Sequence, residues 1–128
     1  TINRVSEWNI SGITNLSATF VNCANFNSDV NDWDTSSVTN ITETFASCSS
    51  FDHSLENWDV SNVNDAGSFM QNTGLTPTNL NAIYNSWGVQ NLNNGVSISF
   101  NPTQYTSAGA SGRAAMAAHW TIQDGGIV

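Results

Sequence analysis

Lysine is absent from this chain of 128 residues, and its basic residues are Arg4 and Arg113. Ten acidic residues leave a net charge of −8, although charged residues make up just 9% of the sequence. Such a chain has no basic patch that neutralises phosphates, which argues against binding to nucleic acid or to anionic membrane surfaces. We therefore predict that its partners are neither nucleic acids nor anionic membranes.

Long apolar runs are also missing, and no stretch reaches the length that spans a bilayer, so we predict no membrane insertion. The chain opens with Thr1 in the middle of a repeat, which we interpret as the start of an excised or mature C-terminal piece of a longer protein. An acidic composition without lysine and rich in Asn, Ser and Thr is typical of extracellular, cell-surface or virion-surface proteins.

Cysteine occurs twice, at Cys23 and Cys48, which are 25 residues apart. If this spacing makes them neighbours, the two thiols either pack as small apolar groups in a ladder or form a disulfide. We favour the ladder. Two cysteines without further ligands at a matching spacing do not predict a zinc site.

What the sequence does contain is a 25-residue repeat. Positions in phase include Trp8, Trp33 and Trp58; Ser11, Ser36 and Ser61; Ile13, Val38 and Val63; and Phe20, Phe45 and Met70. A period of this length is the signature of stacked repeats that bury their apolar sides against one another. We predict one domain with repeats over residues 1–76, the first incomplete, and a capping unit over residues 77–128.

Each repeat is predicted to contain a short helix or 3₁₀ turn, as over Val38–Ser47, and a short strand, as over Phe51–Trp58. The pattern changes at Pro77, which suits the first turn of a helix capped by Thr76 and ended by Gly88. The elements predicted after it are a strand at Val96–Phe100, a helix at Ser107–Ala118 and a strand at Trp120–Ile122.

The motifs Trp33-Asp34-Thr35-Ser36-Ser37-Val38 and Trp58-Asp59-Val60-Ser61-Asn62-Val63, with the Phe45-x-x-Cys48 step, resemble the BspA-type leucine-rich repeats of bacterial surface proteins, the DUF285 or mycoplasma-lipoprotein-type variant. The ending from Trp120 to Gly126 resembles that family's usual terminus. The resemblance implies an α/β solenoid of right-handed coils, with short parallel strands and helical turns closed by a C-terminal cap. It also implies an extracellular adhesion module without shared catalytic residues. Similar repeats occur in phage and other viral structural proteins.

The column Trp8, Trp33 and Trp58 has two readings. One is a buried aromatic spine, which we favour because each ring buries a large area. The other is an exposed ligand-binding strip for a glycan or a protein, because soluble proteins keep large apolar patches for partners.

Three charged residues have structural interpretations beside functional ones. Asp34 and Asp59 are typical of tight turns, and the alternative is a Ca²⁺ site between repeats, since that ion prefers carboxylate oxygens. We otherwise predict no cofactor. Arg113 is expected to pair with a carboxylate in the terminal unit, with Asp124 as the candidate.

These observations predict a protein without enzyme activity. The first hypothesis is a surface-displayed binding or adhesion module that recognises a protein or glycan. The alternative is a structural component of a virion or surface filament, such as a capsid decoration, a fibre or an assembly unit. In that case neighbouring subunits cover the uncapped N-terminal coil by adding to its edge.

Overall fold

Helices and strands are concentrated in the C-terminal part of the chain, in a computed structural model that describes residues 4–128. The elements in order are a 3₁₀ helix Val5–Glu7, helix α1 Pro77–Trp87, strand β1 Val96–Ser99, a 3₁₀ helix Ser107–Gly109, helix α2 Ala110–Ala117 and strand β2 Trp120–Gln123. The two strands are parallel, with Val96 beside Trp120 and Ser99 beside Gln123. The helices and strands predicted after Pro77 are therefore confirmed to within a few residues, whereas the division at residue 76 into repeats and a cap stays a prediction.

The predicted fold class, an α/β solenoid of right-handed leucine-rich-repeat-like coils, is wrong. The described residues contain two α-helices and one two-stranded parallel sheet, all after residue 76, and solenoid topology is not present. The repeats hold turns and isolated bridges where a short helix and a strand were expected, including Val38–Ser47 and Phe51–Trp58. Within Val38–Ser47 the reason is local: Glu43 and Ser47 have φ of 55° and 60°, a left-handed conformation that interrupts a helix.

The repeat segments lie beside one another and are joined by backbone hydrogen bonds. Leu16, Ala18, Phe20 and Asn22 donate their N–H groups to the carbonyls of Asn40, Thr42, Thr44 and Ala46, at 2.8–2.9 Å. The same donors one period later, residues 41, 43, 45 and 47, bond to the carbonyls of residues 65, 67, 69 and 71. Intervening N–H groups close turns within a segment, as Thr44 does to Ile41. Successive backbone N–H groups thus alternate: one closes a turn within its own segment, and the next donates to a carbonyl of the neighbouring segment.

One apolar core runs from the repeats into the C-terminal elements. Phe45 lies at its centre, fully buried, with its ring stacked on Phe51 at a centroid distance of 4.4 Å and on Phe20 at 5.8 Å. The apolar face of α1 is buried in the same core through Leu80, Ile83, Tyr84 and Trp87. Aromatic rings in such contacts bury large areas, so this core explains how turns without regular helix or strand hold their positions.

The start of α1 is capped from outside the helix. Thr76 precedes Pro77 as predicted, but its side chain makes no capping bond. Instead, Asp52 Oδ1 accepts the Thr76 N–H at 2.9 Å and the Asn79 side-chain amide at 2.8 Å. Partial burial acts to raise the pKa of Asp52, but these hydrogen bonds outweigh it and hold the pKa below its ordinary value. A repeat segment therefore anchors the helix through one carboxylate.

The terminal unit contains a buried polar cluster around Asp124. Arg113 Nε lies 2.7 Å from Asp124 Oδ2, which confirms the pairing predicted from the sequence. The Tyr84 hydroxyl donates to the same oxygen at 2.5 Å, so this carboxylate, whose side chain is 4% exposed, holds both α1 and α2. Burial, together with the adjacent carboxylate, raises the pKa of Tyr84 far above its ordinary value, so the hydroxyl stays a donor.

We expect Asp52→Ala to lower the free energy of unfolding at pH 7 by about 0.5–2 kcal/mol, the usual effect of losing a helix cap. Because folding lowers this pKa, the stabilisation is present above the unfolded value of about 4 and is lost as the pH falls through the lower folded value. Urea unfolding between pH 7 and pH 3 measures both effects. Asp65→Ala, an exposed carboxylate in a neighbouring segment, is the matched control, and an equal loss in both variants would contradict the capping role.

We expect Arg113→Ala to lower the free energy of unfolding by about 1–3 kcal/mol, because it leaves a buried carboxylate with one hydrogen-bond donor fewer. Arg4→Ala removes the other, exposed cation and should change stability by no more than about 0.5 kcal/mol. Thermal and urea unfolding of both variants check this difference, and unchanged stability of Arg113→Ala would show that the ion pair is unimportant.

Candidate binding face at the N-terminal end of the repeats

The three tryptophans of the column form a stack that is buried at one end and open at the other. Successive ring centroids are 6.4 Å apart with interplanar angles of 12°. Trp33 and Trp58 are 4% and 1% exposed, whereas Trp8 is 47% exposed. Two of the three rings therefore lie in the spine, and the surface that the stack offers to a ligand is the outer face of Trp8.

Each buried indole donates a hydrogen bond to the preceding segment. Trp33 Nε1 donates to the Val5 carbonyl at 3.0 Å, and Trp58 Nε1 donates to the Val30 carbonyl at 2.9 Å, both 28 residues earlier in the chain. Trp8 holds the same position in the first segment, and within residues 4–128 its Nε1 has no acceptor. The exposed indole thus combines an open aromatic face with a free donor.

A row of backbone carbonyls lies at the same end. The carbonyls that accept bonds from a preceding segment are those of residues 40, 42, 44 and 46 in the second segment and 65, 67, 69 and 71 in the third. Their counterparts in the first segment are Asn15, Ser17, Thr19 and Val21, and no backbone N–H among residues 4–128 donates to them. This edge therefore presents four backbone carbonyls, on alternate residues of one segment, that accept no backbone N–H from residues 4–128.

We call the surface formed by Trp8, Ile13 and these four carbonyls the N-terminal face. Ile13 is 43% exposed and adds a second apolar side chain. Arg4, at the start of the 3₁₀ turn, and Glu7, within it, are exposed close to Trp8 in the chain. The sequence predicted an open edge here, but the acceptors were missed because they are main-chain atoms whose direction depends on the left-handed residues. The period of 25 residues was the available signal, because it identifies the residues of the first segment that correspond to the acceptors of the second.

The two aspartates considered for Ca²⁺ are engaged in turns. Asp34 Oδ1 accepts the Ser36 N–H at 3.1 Å and its hydroxyl at 2.6 Å, and Asp59 Oδ1 accepts the same pair from Ser61 at 2.9 and 2.6 Å. The Ser36 hydrogen bonds lower the pKa of Asp34. Within residues 4–128, no group of three or more His, Cys, Asp or Glu side chains is arranged to hold a metal ion.

Both cysteines are free thiols with different surroundings. Cys48 is buried and its Sγ donates to the Phe20 carbonyl at 2.9 Å, again 28 residues earlier. Burial raises the pKa of Cys48. Cys23, the equivalent residue of the first segment, is exposed. The thiols therefore hold equivalent positions, but just one of them is buried.

A hollow of about 200 Å³ lies away from the N-terminal face, where the third repeat segment meets the sheet. It is lined by Gly67, Ser68, Ser97, Ile98, Ser99, Thr121 and Gln123. It has no aromatic side chain or charge that would anchor a ligand. The N-terminal face therefore remains the better candidate.

Residues 1–109 match the sequence profile of DUF285, a family described as Mycoplasma protein of unknown function, and the chain belongs to that family. No curated protein and no solved structure matches it. None of the helices in the described part of the chain has the length and apolarity needed to cross a membrane.

Proposed function

We propose that this chain is a non-enzymatic, surface-displayed module that binds a protein or glycan through its N-terminal face. The observation that carries the proposal is the exposed Trp8, held flat on Trp33 at a centroid distance of 6.4 Å. A rigid aromatic ring loses little conformational freedom on binding, and such residues dominate the energetics of many interfaces.

The surroundings of Trp8 distinguish it from an ordinary exposed apolar residue. Isolated apolar side chains are common on protein surfaces and need no partner. The Trp8 indole N–H, however, has no acceptor within residues 4–128, and Trp8 shares its end of the molecule with Ile13 and four carbonyls to which no backbone N–H of those residues donates. A partner that covers this face gains apolar burial and hydrogen bonds together, the combination of anchor and polar contacts found in specific interfaces.

Two further features support surface display. The motifs around Trp33 and Trp58 resemble the BspA-like leucine-rich repeats of bacterial surface proteins, whose expected role is adhesion. The net charge of −8 and the absence of lysine are typical of surface-exposed proteins and argue against nucleic acids and anionic membranes as partners.

The alternative role, an assembly unit of a virion or filament, is disfavoured by the chemistry of the open edge. Two copies meeting through their N-terminal faces would place carbonyl acceptors against carbonyl acceptors. The backbone carbonyls of two such edges form no hydrogen bonds with one another, and their desolvation is then uncompensated. A partner with N–H or O–H donors fits the face better than a second identical face.

We expect Trp8→Ser to weaken binding to a protein or glycan partner at least about tenfold, since loss of a central aromatic anchor costs about 2 kcal/mol or more. The measurement is biolayer interferometry against a printed panel of glycans and purified extracellular glycoproteins, tested with and without their glycans. Val89→Ser is the matched control, because Val89 is 85% exposed but lies beyond α1, remote in the chain from the N-terminal face.

Binding that Trp8→Ser weakens and Val89→Ser preserves supports the proposal. Equal binding by both variants, or no binding of the unaltered protein to any member of the panel, would contradict it. Circular dichroism of both variants verifies that the fold is retained, as expected for exposed side chains.

A further inference from the structure

We infer that a polar groove away from the N-terminal face is a second binding site, and that it takes a neutral oligosaccharide. The groove consists of two hollows that meet at Ser68. One is the hollow of about 200 Å³ beside the two strands. The other has a volume of about 250 Å³ and is lined by Glu43, Ala46, Ser47, Ser68, Gln71 and Asn72. This inference goes beyond the proposed function, because it concerns a different surface and does not depend on Trp8.

The groove crosses four neighbouring rows of backbone. The second and third repeat segments are joined where the Glu43 N–H donates to the Gly67 carbonyl at 2.9 Å. The third segment joins β1 where the Met70 N–H donates to the Ser99 carbonyl at 3.0 Å, and β1 pairs with β2. Hydrogen-bonded strands lie about 4.8 Å apart. The lining groups therefore recur at short intervals across the rows, which suits a linear ligand that has hydroxyl groups along its length.

Strands β1 and β2 supply a polar platform to the groove. Side chains two residues apart in a strand point to the same face, so Ser97 and Ser99 lie on one side of β1. Their partners in β2 are Thr121 and Gln123, and all four residues line the groove. Hydroxyl and carboxamide groups both donate and accept hydrogen bonds. A sugar hydroxyl does the same, so the platform matches the chemistry of a saccharide.

Most of the polar side chains in the groove form no hydrogen bonds with the protein itself. Gln90 shows the usual alternative, since its amide bonds to the backbone of Val60 and Trp58 at 2.8 Å. Within residues 4–128, no side-chain hydrogen bond is formed by Glu43, Ser47, Ser68, Gln71, Asn72, Ser97, Thr121 or Gln123. These groups keep their full hydrogen-bonding capacity for a ligand.

Ser99 is the group that solvent reaches least. It is 3% exposed, and its Oγ accepts the Asn101 N–H at 3.2 Å. Its hydroxyl proton has no acceptor in the part of the chain that the structure describes. A buried donor without an acceptor costs free energy. An oxygen atom of a ligand in the groove would supply the acceptor.

The charge of the lining selects a neutral ligand. Glu43 adds a carboxylate to the second hollow, and no Arg, Lys or aromatic side chain among residues 4–128 lines either hollow. An anionic sugar would therefore meet a carboxylate and a net charge of −8 without a compensating cation. A peptide fits less well, because protein partners bind through aromatic or Arg anchors in apolar pockets, which this groove lacks.

Gly67 offers a way to fill the groove without disturbing the fold. It lines the first hollow, and a Cβ added to it would meet just Thr42 Cγ2, at the ordinary contact distance of 3.9 Å. Its φ lies outside the left-handed region, so a residue with a side chain is accepted there. A tyrosine at this position would extend into the space that the ligand needs.

The experiment titrates three neutral tetrasaccharides, cellotetraose, maltotetraose and tetra-N-acetylchitotetraose, into the ¹⁵N-labelled protein. We expect at least one to bind saturably, to shift the amides of Ser68, Ser97 and Thr121, and to bind equally well as salt is raised. Gly67→Tyr should weaken this binding at least about tenfold, and Gln123→Ala about threefold. Asn91→Tyr is the matched control, because Asn91 is exposed and lines neither hollow.

Circular dichroism verifies that the variants fold, and Gln123→Ala decides the matter if Gly67→Tyr does not. Absence of binding by all three tetrasaccharides, or binding that both groove variants preserve, would overturn the inference. So would tighter binding of the anionic tetragalacturonic acid.

The Trp8→Ser variant separates this inference from the proposed function. Binding that Trp8→Ser abolishes and the groove variants preserve would sink this inference and leave the proposed function standing. Binding that depends on Gly67 and Gln123 but not on Trp8, without any Trp8-dependent binding to the glycan and glycoprotein panel, would do the opposite.

Discussion

Directional hydrogen bonding between successive repeat segments is the constraint on which the rest of the structure depends. Every second N–H of a segment points to the carbonyls of the next one, and the N–H groups between them close turns. A buried backbone amide without a partner costs free energy comparable to a lost hydrogen bond, so this division satisfies a chain that forms neither helix nor sheet there. The left-handed residues Ala18, Glu43 and Ser68, one period apart, make the division possible.

The same direction makes the two ends of the repeats different. At the far end, the donors of the third segment are used by the strand that follows, since Met70 donates to the Ser99 carbonyl at 3.0 Å and Asn72 to that of Asn101 at 2.7 Å. At the near end, no backbone N–H within residues 4–128 donates to the equivalent carbonyls of the first segment. The stack of indoles has the opposite polarity, because each buried indole N–H bonds to the segment before it. The directions of the backbone and indole hydrogen bonds therefore distinguish the N-terminal face from the opposite end of the repeats.

Sequence reasoning located the helices and strands after Pro77 and the ion pair of Arg113 because their signals are local: a proline at a helix start, alternating apolar residues, and two cations in an acidic chain. It failed within the repeats. Val38, Ile41 and Phe45 have the spacing of a helix. In the structure they are buried against neighbouring segments by consecutive turns, which place them at the same spacing without a helix. The residue types at Glu43 and Ser47 do not predict a positive φ, because neither glutamate nor serine favours it. The acceptor row followed from that conformation and was beyond the sequence for the same reason.

Amide hydrogen exchange of the first segment, followed by NMR, tests the directional pattern most directly. The N–H groups of Ala18 and Phe20 belong to the outermost segment but donate inward. We expect them to exchange slowly, with protection comparable to Glu43 and Phe45 deeper in the stack, whereas the amides of Thr14 and Asn25, which have no acceptor within residues 4–128, exchange fast. Exchange of Ala18 and Phe20 as fast as that of Asn25 would contradict it, because the donors would then lie on the open side and the N-terminal face would not be an acceptor edge.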